Sequence, residues 1–590
     1  MKKAQQKTLI SFLVCQGIVL SSMAFGAGED RLQIIEMLQP QGLRHTGIYA
    51  LRQIDQNLTG SGVKFGVICR SKTYIDNEPQ NDYRPDIRHN CFQASDLMFQ
   101  PSETLFQGIS PHSTAICSIL FGEDPNASHP DIGPFYYEGV VPRAQGEIHE
   151  LWNFVLTHVY PQEPLDADIL TASFGIEFEY PWTRGIELLA ESYGTIVVAS
   201  IGNGADSHNP VLYPAAGANV IGVGVVDSVN SEDLVTNLAH FALANPEHSS
   251  TGPTGNGRCK PDLVAPGNCM AAEVNEPNLY EPTGNWSSYS TPIVAGAVGL
   301  LVQKAKENPD LSPAISPDGG NCVIKAILMN SATKLPFWHK GWLTTDDDHS
   351  APLDYVQGAG MLNAIGAFEH LISGLYGPGD APPTGWDLNL LDKTDAAEQV
   401  YDITIIEPAR STITATLVWN RHYNTTFPFE PAPEKDNNLR IELWAVDPDN
   451  HDSDYLLDYS DSRDDNVEHI HIAADPDYLN YRIILRFSDD EDQKTSALSQ
   501  RYGFAWNVRE PERTDNIFWY DLNADGIVDD LDFTIILNNL AESAESNESY
   551  VLGDIKPDGA INSEDVEVLF QEMRNKRQAD WYISRQDESG

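Results

Sequence analysis

Three short stretches of this sequence hold side chains whose types and settings suit acyl transfer. Asn285-Trp286-Ser287-Ser288-Tyr289-Ser290-Thr291 runs directly into the apolar, small-residue segment Pro292-Ile293-Val294-Ala295-Gly296-Ala297-Val298-Gly299-Leu300-Leu301. A serine at that junction meets unpaired N–H groups and the positive end of a helix dipole, which favours the negative charge that develops beside an attacking nucleophile. An N-capped buried helix would show the same pattern, so the serine alone decides nothing. Ser110-Pro111-His112-Ser113-Thr114 opens a second apolar helix and puts an imidazole at its start, where it can act as general base. Ile201-Gly202-Asn203-Gly204 follows a buried strand and sets an amide at its end, which fits an oxyanion donor and equally a plain turn.

Stretches so far apart in the chain need a scaffold that brings them to one place. Residues 60 to 370 alternate short β-branched runs with helix-like segments, and the runs Val63 to Ile68, Ile169 to Phe174, Thr195 to Ser200 and Val220 to Val226 are almost continuously apolar. That pattern predicts a parallel α/β sheet with strands buried on both faces. The length of 590 residues predicts roughly three or four domains. Gly377-Pro378-Gly379-Asp380-Ala381-Pro382-Pro383 reads as a turn-rich, Pro-stiffened linker over 376–394. From 395 to 510 the runs Thr412 to Trp419, Leu439 to Trp444 and Tyr481 to Leu485 alternate without helices, which predicts an antiparallel β-sandwich or jelly roll.

The 86 acidic against 37 basic residues give a formal charge of -49, which repels nucleic acid and anionic membranes. Cations and proteins are the expected partners. Met1-Lys2-Lys3, the apolar Leu9 to Val14 and the small residues near Gly26 read as a secretory signal peptide over 1–26, so the chain is expected to be exported. No later run has the length of a transmembrane helix. Six cysteines follow the signal, Cys69, Cys91, Cys117, Cys259, Cys269 and Cys322, an even number that permits disulfides without choosing a pairing.

Together the motifs resemble those of the subtilisin-like serine peptidases, in order over about residues 45 to 370. The family's Gly-Thr-Ser-Met-Ala-x-Pro segment is similar to Trp286-Ser287-Ser288-Tyr289-Ser290-Thr291-Pro292, which implies Ser288 as nucleophile. Its His-Gly-Thr is similar to His112-Ser113-Thr114, its Ala-Gly-Asn oxyanion segment to Ile201-Gly202-Asn203, and its substrate-lining Ser-Leu-Gly to Ser173-Phe174-Gly175. Lys260-Pro261-Asp262-Leu263-Val264-Ala265-Pro266-Gly267 and Gln357-Gly358-Ala359-Gly360 resemble further family segments. The resemblance implies a subtilisin-like domain over 27–375 that cleaves peptide or protein substrates through an acyl-enzyme.

One departure bears directly on activity. The family's Val-Ala-Val-Ile-Asp strand is similar to Phe65-Gly66-Val67-Ile68-Cys69, so Cys69 stands at the position of the triad aspartate. A neutral thiol neither fixes the histidine tautomer nor stabilises the imidazolium. Asp76 and Asp82 follow closely and could reach the histidine from a loop. The alternative reading is a non-catalytic pseudo-peptidase that binds peptides, with Cys69 in a disulfide or filling space.

The C-terminal region holds the one internal repeat found. Asp521, Asn523, Asp525, Ile527, Asp529 and Asp532 take positions 1, 3, 5, 7, 9 and 12 of a 12-residue calcium loop, Ile527 through its carbonyl, with Gly526 at the turn. The second loop keeps Asp554, Asp558 and Asp565 but has Lys556 at position 3, which should weaken or abolish calcium there. Two such loops, each followed by a helix, resemble a dockerin, expected as a small α-helical domain over 515–575 before a tail at 576–590. The resemblance implies calcium as cofactor and a cohesin-like docking partner.

Overall fold

In the computed structural model, the described residues are 46–509 apart from 102–107, 205–210, 229–240, 242–243, 336–337, 343–348, 396 and 489–496. The expected signal segment and both calcium loops lie outside them. Seven strands form one sheet: β1 (Lys64–Cys69), β2 (Asp96–Gln100), β3 (Gln145–Glu150), β4 (Ile169–Ala172), β5 (Ile196–Ser200), β6 (Ile221–Val226) and β7 (Leu263–Pro266). Their spatial order is β7-β6-β5-β4-β1-β3-β2, and every pairing is parallel. All carboxyl ends therefore share one edge, where open α/β sheets place their ligands. Strands β4, β5, β6 and β7 are buried at every residue, as their unbroken apolar runs require.

Helices then bring the side chains named above to that edge. Helix α1 (Pro111–Phe121) starts where Ser110 accepts the Ser113 N–H at 3.2 Å, with Pro111 in the first turn. Helix α2 (Pro181–Tyr193) packs beside β5. Helix α3 (Ser287–Glu307) runs through the centre of the core, and its glycines let it approach closely. A Cβ on Gly296 would meet the Val140 side chain at 2.4 Å, and one on Gly299 the Phe65 ring at 2.7 Å. The Lys260-Pro261-Asp262 segment has an ionic role: Asp262, buried, binds Lys260 at 2.5 Å, Lys325 at 2.9 Å and the Gly222 N–H at 2.6 Å, tying β6 to β7.

Beyond residue 375 lie two facing sheets. The strands Gly379–Ala381, Glu398–Thr404, Asn480–Phe487, Leu439–Val446 and Tyr455–Ser460 form one, in that spatial order; Thr384–Asp392, Ser499–Arg509, Thr412–Trp419 and Val467–Ala473 form the other. Their shared core holds Tyr401, Trp419, Phe504 and Trp506. The stretch 376–394, expected as a linker, instead carries two of these strands. Trp386 explains the difference: its ring is wholly buried, its indole N–H donates to the Leu371 carbonyl at 2.8 Å, and Thr384–Asp392 pairs along its length with Ser499–Arg509.

The two sheets are also not a detached appendage. Helix α4 (Gly320–Ser331) is buried at all twelve residues and packs against Thr412–Trp419 and Ser499–Arg509. Asn330 on this helix donates to Thr416 Oγ1 at 3.1 Å and to the Ala505 carbonyl at 3.0 Å. The six cysteines are buried free thiols, so no disulfide forms among them and Cys69 is not locked in one. No helix among the described residues is long and apolar enough to cross a membrane.

Candidate active site

Ser288 lies in the first turn of α3, half-buried, and its hydroxyl donates to the Ser173 carbonyl at 3.1 Å, just past the end of β4. Its neighbour Ser287 does a separate job. The Ser287 N–H and hydroxyl donate to Asn203 Oδ1 at 2.9 and 2.8 Å, while the Ser287 oxygen accepts the Gly202 N–H at 3.2 Å. With Oδ1 occupied twice, the exposed Asn203 presents its amide Nδ2–H, which has no partner among the described residues. Gly202 makes this turn possible: its φ is +117°, and a Cβ there would stand 2.5 Å from Ser250 Oγ. The Ser288 N–H, in the first helical turn, has no intrahelical acceptor. These bonds place Asn203 beside Ser287, the residue before Ser288.

His112 sits in the first turn of α1, its ring tilted against that of Tyr289 at a centroid distance of 6.0 Å. The structure brings it beside Ser288's neighbour but shows no hydrogen bond between His112 and Ser288. Part of the ring faces solvent, yet the surrounding protein removes enough water to lower the imidazole to about 4. Among the described residues no carboxylate offsets that desolvation. Cys69, at the end of β1, is buried beside Ser113, and burial pushes its thiol up to about 11 against a small opposing effect of the Ser113 hydroxyl, so it is neutral. Asp82 is committed to the Lys72 and Thr73 N–H groups at 2.9 and 3.2 Å, and Asp76 sits at a hairpin turn with φ +52°. Glu150, opposite Cys69 in the β1–β3 register, caps the Asn153 N–H at 2.9 Å and accepts from Ser71 at 3.3 Å.

These facts give a pH profile. A base must be neutral to accept a proton, so activity dependent on His112 should be present above about 4 and fall as pH drops through that value. Peptide hydrolysis between pH 3.5 and 8, with folding followed by circular dichroism, checks this. An acid limb near the ordinary imidazole value of about 6.5 would show that the ring is not desolvated, and one well above it that a carboxylate reaches the ring.

Ser173 and Phe174 continue from the Ser288 contact into a cleft of about 520 Å³ lined by Arg70, Tyr74, Trp152, Phe174, Tyr180 and Trp182 among others. Gly175 is held close to a neighbouring loop, where a Cβ would meet Leu212 at 2.5 Å. Sequence reasoning named Phe174 as substrate-lining but missed the other cleft walls and the holding role of Ser287; the signal for the rest was the aromatic density of Tyr180 and Trp182 beside the Ser173-Phe174-Gly175 segment. It also missed a pair at the end of β6, where His248 Nδ1 lies 2.6 Å from the buried Asp227, whose carboxyl burial raises to about 6 despite the imidazole. No cluster of metal-binding side chains occurs among the described residues.

Comparison with known proteins accords with this architecture. Residues 105–360 match the subtilase family, and residues 519–574 match the dockerin type I domain. The chain is 29% identical to the serine protease AprX of Bacillus subtilis over 343 residues, covering 54% of this chain and 63% of AprX. It is 29% identical to the subtilisin-like protease SBT6.1 of Arabidopsis thaliana over 35% of this chain and 17% of that protein. A solved structure, that of the prenylagaramide maturation protease PagA, aligns with 56% of this chain and 99% of its own at 22% identity and a TM-score of 0.37. The aligned region thus spans less than two thirds of each of these two curated relatives. The chain carries a subtilase-family domain and a dockerin type I domain.

Proposed function

We propose that the chain is an exported serine endopeptidase with a weakened catalytic apparatus. Ser288 attacks the scissile carbonyl, His112 takes its proton and returns it to the leaving amine, and the oxyanion rests on Asn203 Nδ2–H and the Ser288 N–H. Water then releases the acyl group with His112 again as base. The observation that supports this reading is the double anchoring of Asn203 Oδ1 by Ser287, the residue before Ser288, which leaves the Asn203 amide N–H to donate elsewhere. The pseudo-peptidase reading is favoured by one observation: among the described residues, no carboxylate partners His112. Hydrolysis of a quenched-fluorescent protein substrate by the full chain, set against Ser288→Ala, separates the two: activity lost in the variant supports the enzyme, and equal rates overturn it.

The C-terminal region would hold calcium, and its donor chemistry differs between the loops. Asp521, Asn523, Asp525, Asp529 and Asp532 offer side-chain oxygens and Ile527 a carbonyl, a set suited to a hard cation; Asp554, Asp558 and Asp565 share their loop with the Lys556 ammonium. Calcium titration of residues 515–575 should show one tight site, removed by Asp525→Ala and little affected by Asp558→Ala. Folding of that segment should require calcium, because a cation that binds only the folded form stabilises it by mass action. Equal affinity at two sites would contradict this. The domain's proposed partner is a cohesin-like protein, and the signal segment would direct the chain outside the cell.

A further inference from the structure

We propose that Arg70 makes the cleft selective for an acidic side chain: facing the aromatic wall is a polar one of Arg70, Tyr74 and Asn77, and it takes a glutamate or aspartate of an extended polypeptide. The inference rests on the reading of Ser288 as the reacting residue for which bond is cut, and not for what is bound. Arg70 is exposed and is the one charged side chain among the described lining residues. It follows Cys69 directly at the end of β1, and Cys69 is buried beside Ser113, the neighbour of His112. The aromatic wall approaches from the other side, because Phe174 follows Ser173, whose carbonyl accepts the Ser288 hydroxyl.

An exposed arginine is ordinarily half of a surface ion pair. Arg70 is not: its guanidinium lies over the Tyr74 ring, 5.8 Å from the centroid, and no carboxylate among the described residues stands within ion-pair distance. The acidic groups nearest along the chain are engaged elsewhere. Asp82 accepts the Lys72 and Thr73 N–H groups, Glu150 accepts the Asn153 N–H and the Ser71 hydroxyl, and Glu179, beside Tyr180, lies 3.9 Å from Arg184. The segment that carries Tyr74 and Asn77 is held in place as well. Tyr74–Ile75 pairs with Glu78–Pro79 across a turn at Asp76 and Asn77, the Ser71 hydroxyl donates to the Gln80 carbonyl at 2.7 Å, and the Gln80 N–H donates to the Thr73 carbonyl at 3.0 Å. A guanidinium is a planar fork of donors that matches a carboxylate, and low-dielectric aromatic surface across the cleft strengthens the pair. The formal charge of -49 repels an acidic chain over most of the surface, so Arg70 fixes the register in which such a chain binds.

The test uses the full chain and quenched-fluorescent twelve-residue peptides, without free terminal carboxylates, in which one glutamate, glutamine or lysine is walked through a common neutral sequence. At one position the parent should cleave the glutamate peptide about tenfold faster in kcat/KM than the glutamine peptide, and the lysine peptide most slowly. Arg70→Gln should bring the glutamate-to-glutamine ratio there to about one, Arg70→Lys should keep part of it, and Arg70→Glu should turn the preference toward lysine. Each ratio is taken within one variant, so a general loss of activity cancels. No glutamate preference in the parent, or one that survives Arg70→Gln, overturns the inference. Should the parent cut none of the peptides, the catalytic reading fails; there, and for any variant that cuts none, fluorescence anisotropy of the same labelled peptides decides. Binding that favours glutamate in the parent and lysine in Arg70→Glu upholds the inference, and binding without that discrimination, or none, overturns it.

Discussion

Replacing Cys69 with aspartate is expected to raise kcat for peptide hydrolysis at least about tenfold. The thiol is buried beside Ser113, one residue from His112, and burial holds it neutral, so it supplies neither a tautomer clamp nor a counter-charge. A carboxylate there would accept the imidazole N–H and stabilise the imidazolium formed as Ser288 attacks. Loss of the equivalent carboxylate alone costs a subtilisin about 3 × 10⁴ in kcat, which sets the upper bound on the gain. Ser113 competes for the new carboxylate, and Cys69→Asp with Ser113→Gly should recover more. The substitution also has a signature apart from rate: the acid limb of the pH profile should move up from about 4 toward the range of a paired histidine. A folded variant with unchanged rate and unchanged acid limb would show that His112 is not the base.

The second large effect is a loss. Asn203→Ala should lower kcat by about 10² to 10³ with little change in KM, because the amide N–H is needed only once the carbonyl oxygen carries charge. The Ser287 hydroxyl and N–H lose their acceptor in the same variant, so its melting temperature should be measured beside the rates. A variant that is folded and equally active would remove Asn203 from the mechanism.

The sheet was legible where burial is complete. Strands β4, β5 and β6 follow apolar runs almost to the residue, and the Ser-rich and Gly-rich junctions correctly predicted a helix start at Ser287 and a strand end before Asn203. Strand β3 was not legible, because Gln145-Gly146-Glu147-Ile148-His149-Glu150 reads as a polar surface segment although His149 and Glu150 are buried. The attachment of the two later sheets was hidden for a related reason. Polar residues of α4 suggest a solvent face, but Lys325 finds buried Asp262 and Asn330 finds Thr416 and Ala505 across the junction. Pairings between distant segments also hid most of the cleft: Phe174 belongs to the Ser173-Phe174-Gly175 motif, but Arg70, Trp152 and Trp182 come from segments that carry no motif.

Labelling with a fluorophosphonate tests the central claim most directly, because the reagent reacts only with a serine that its surroundings have activated. The native full chain at pH 7 should be modified at Ser288, as read by mass spectrometry of its peptides. Heat-unfolded protein and Asn203→Ala should label far more slowly. An unmodified Ser288 in folded protein, beside a control peptidase that labels fully, would contradict the account.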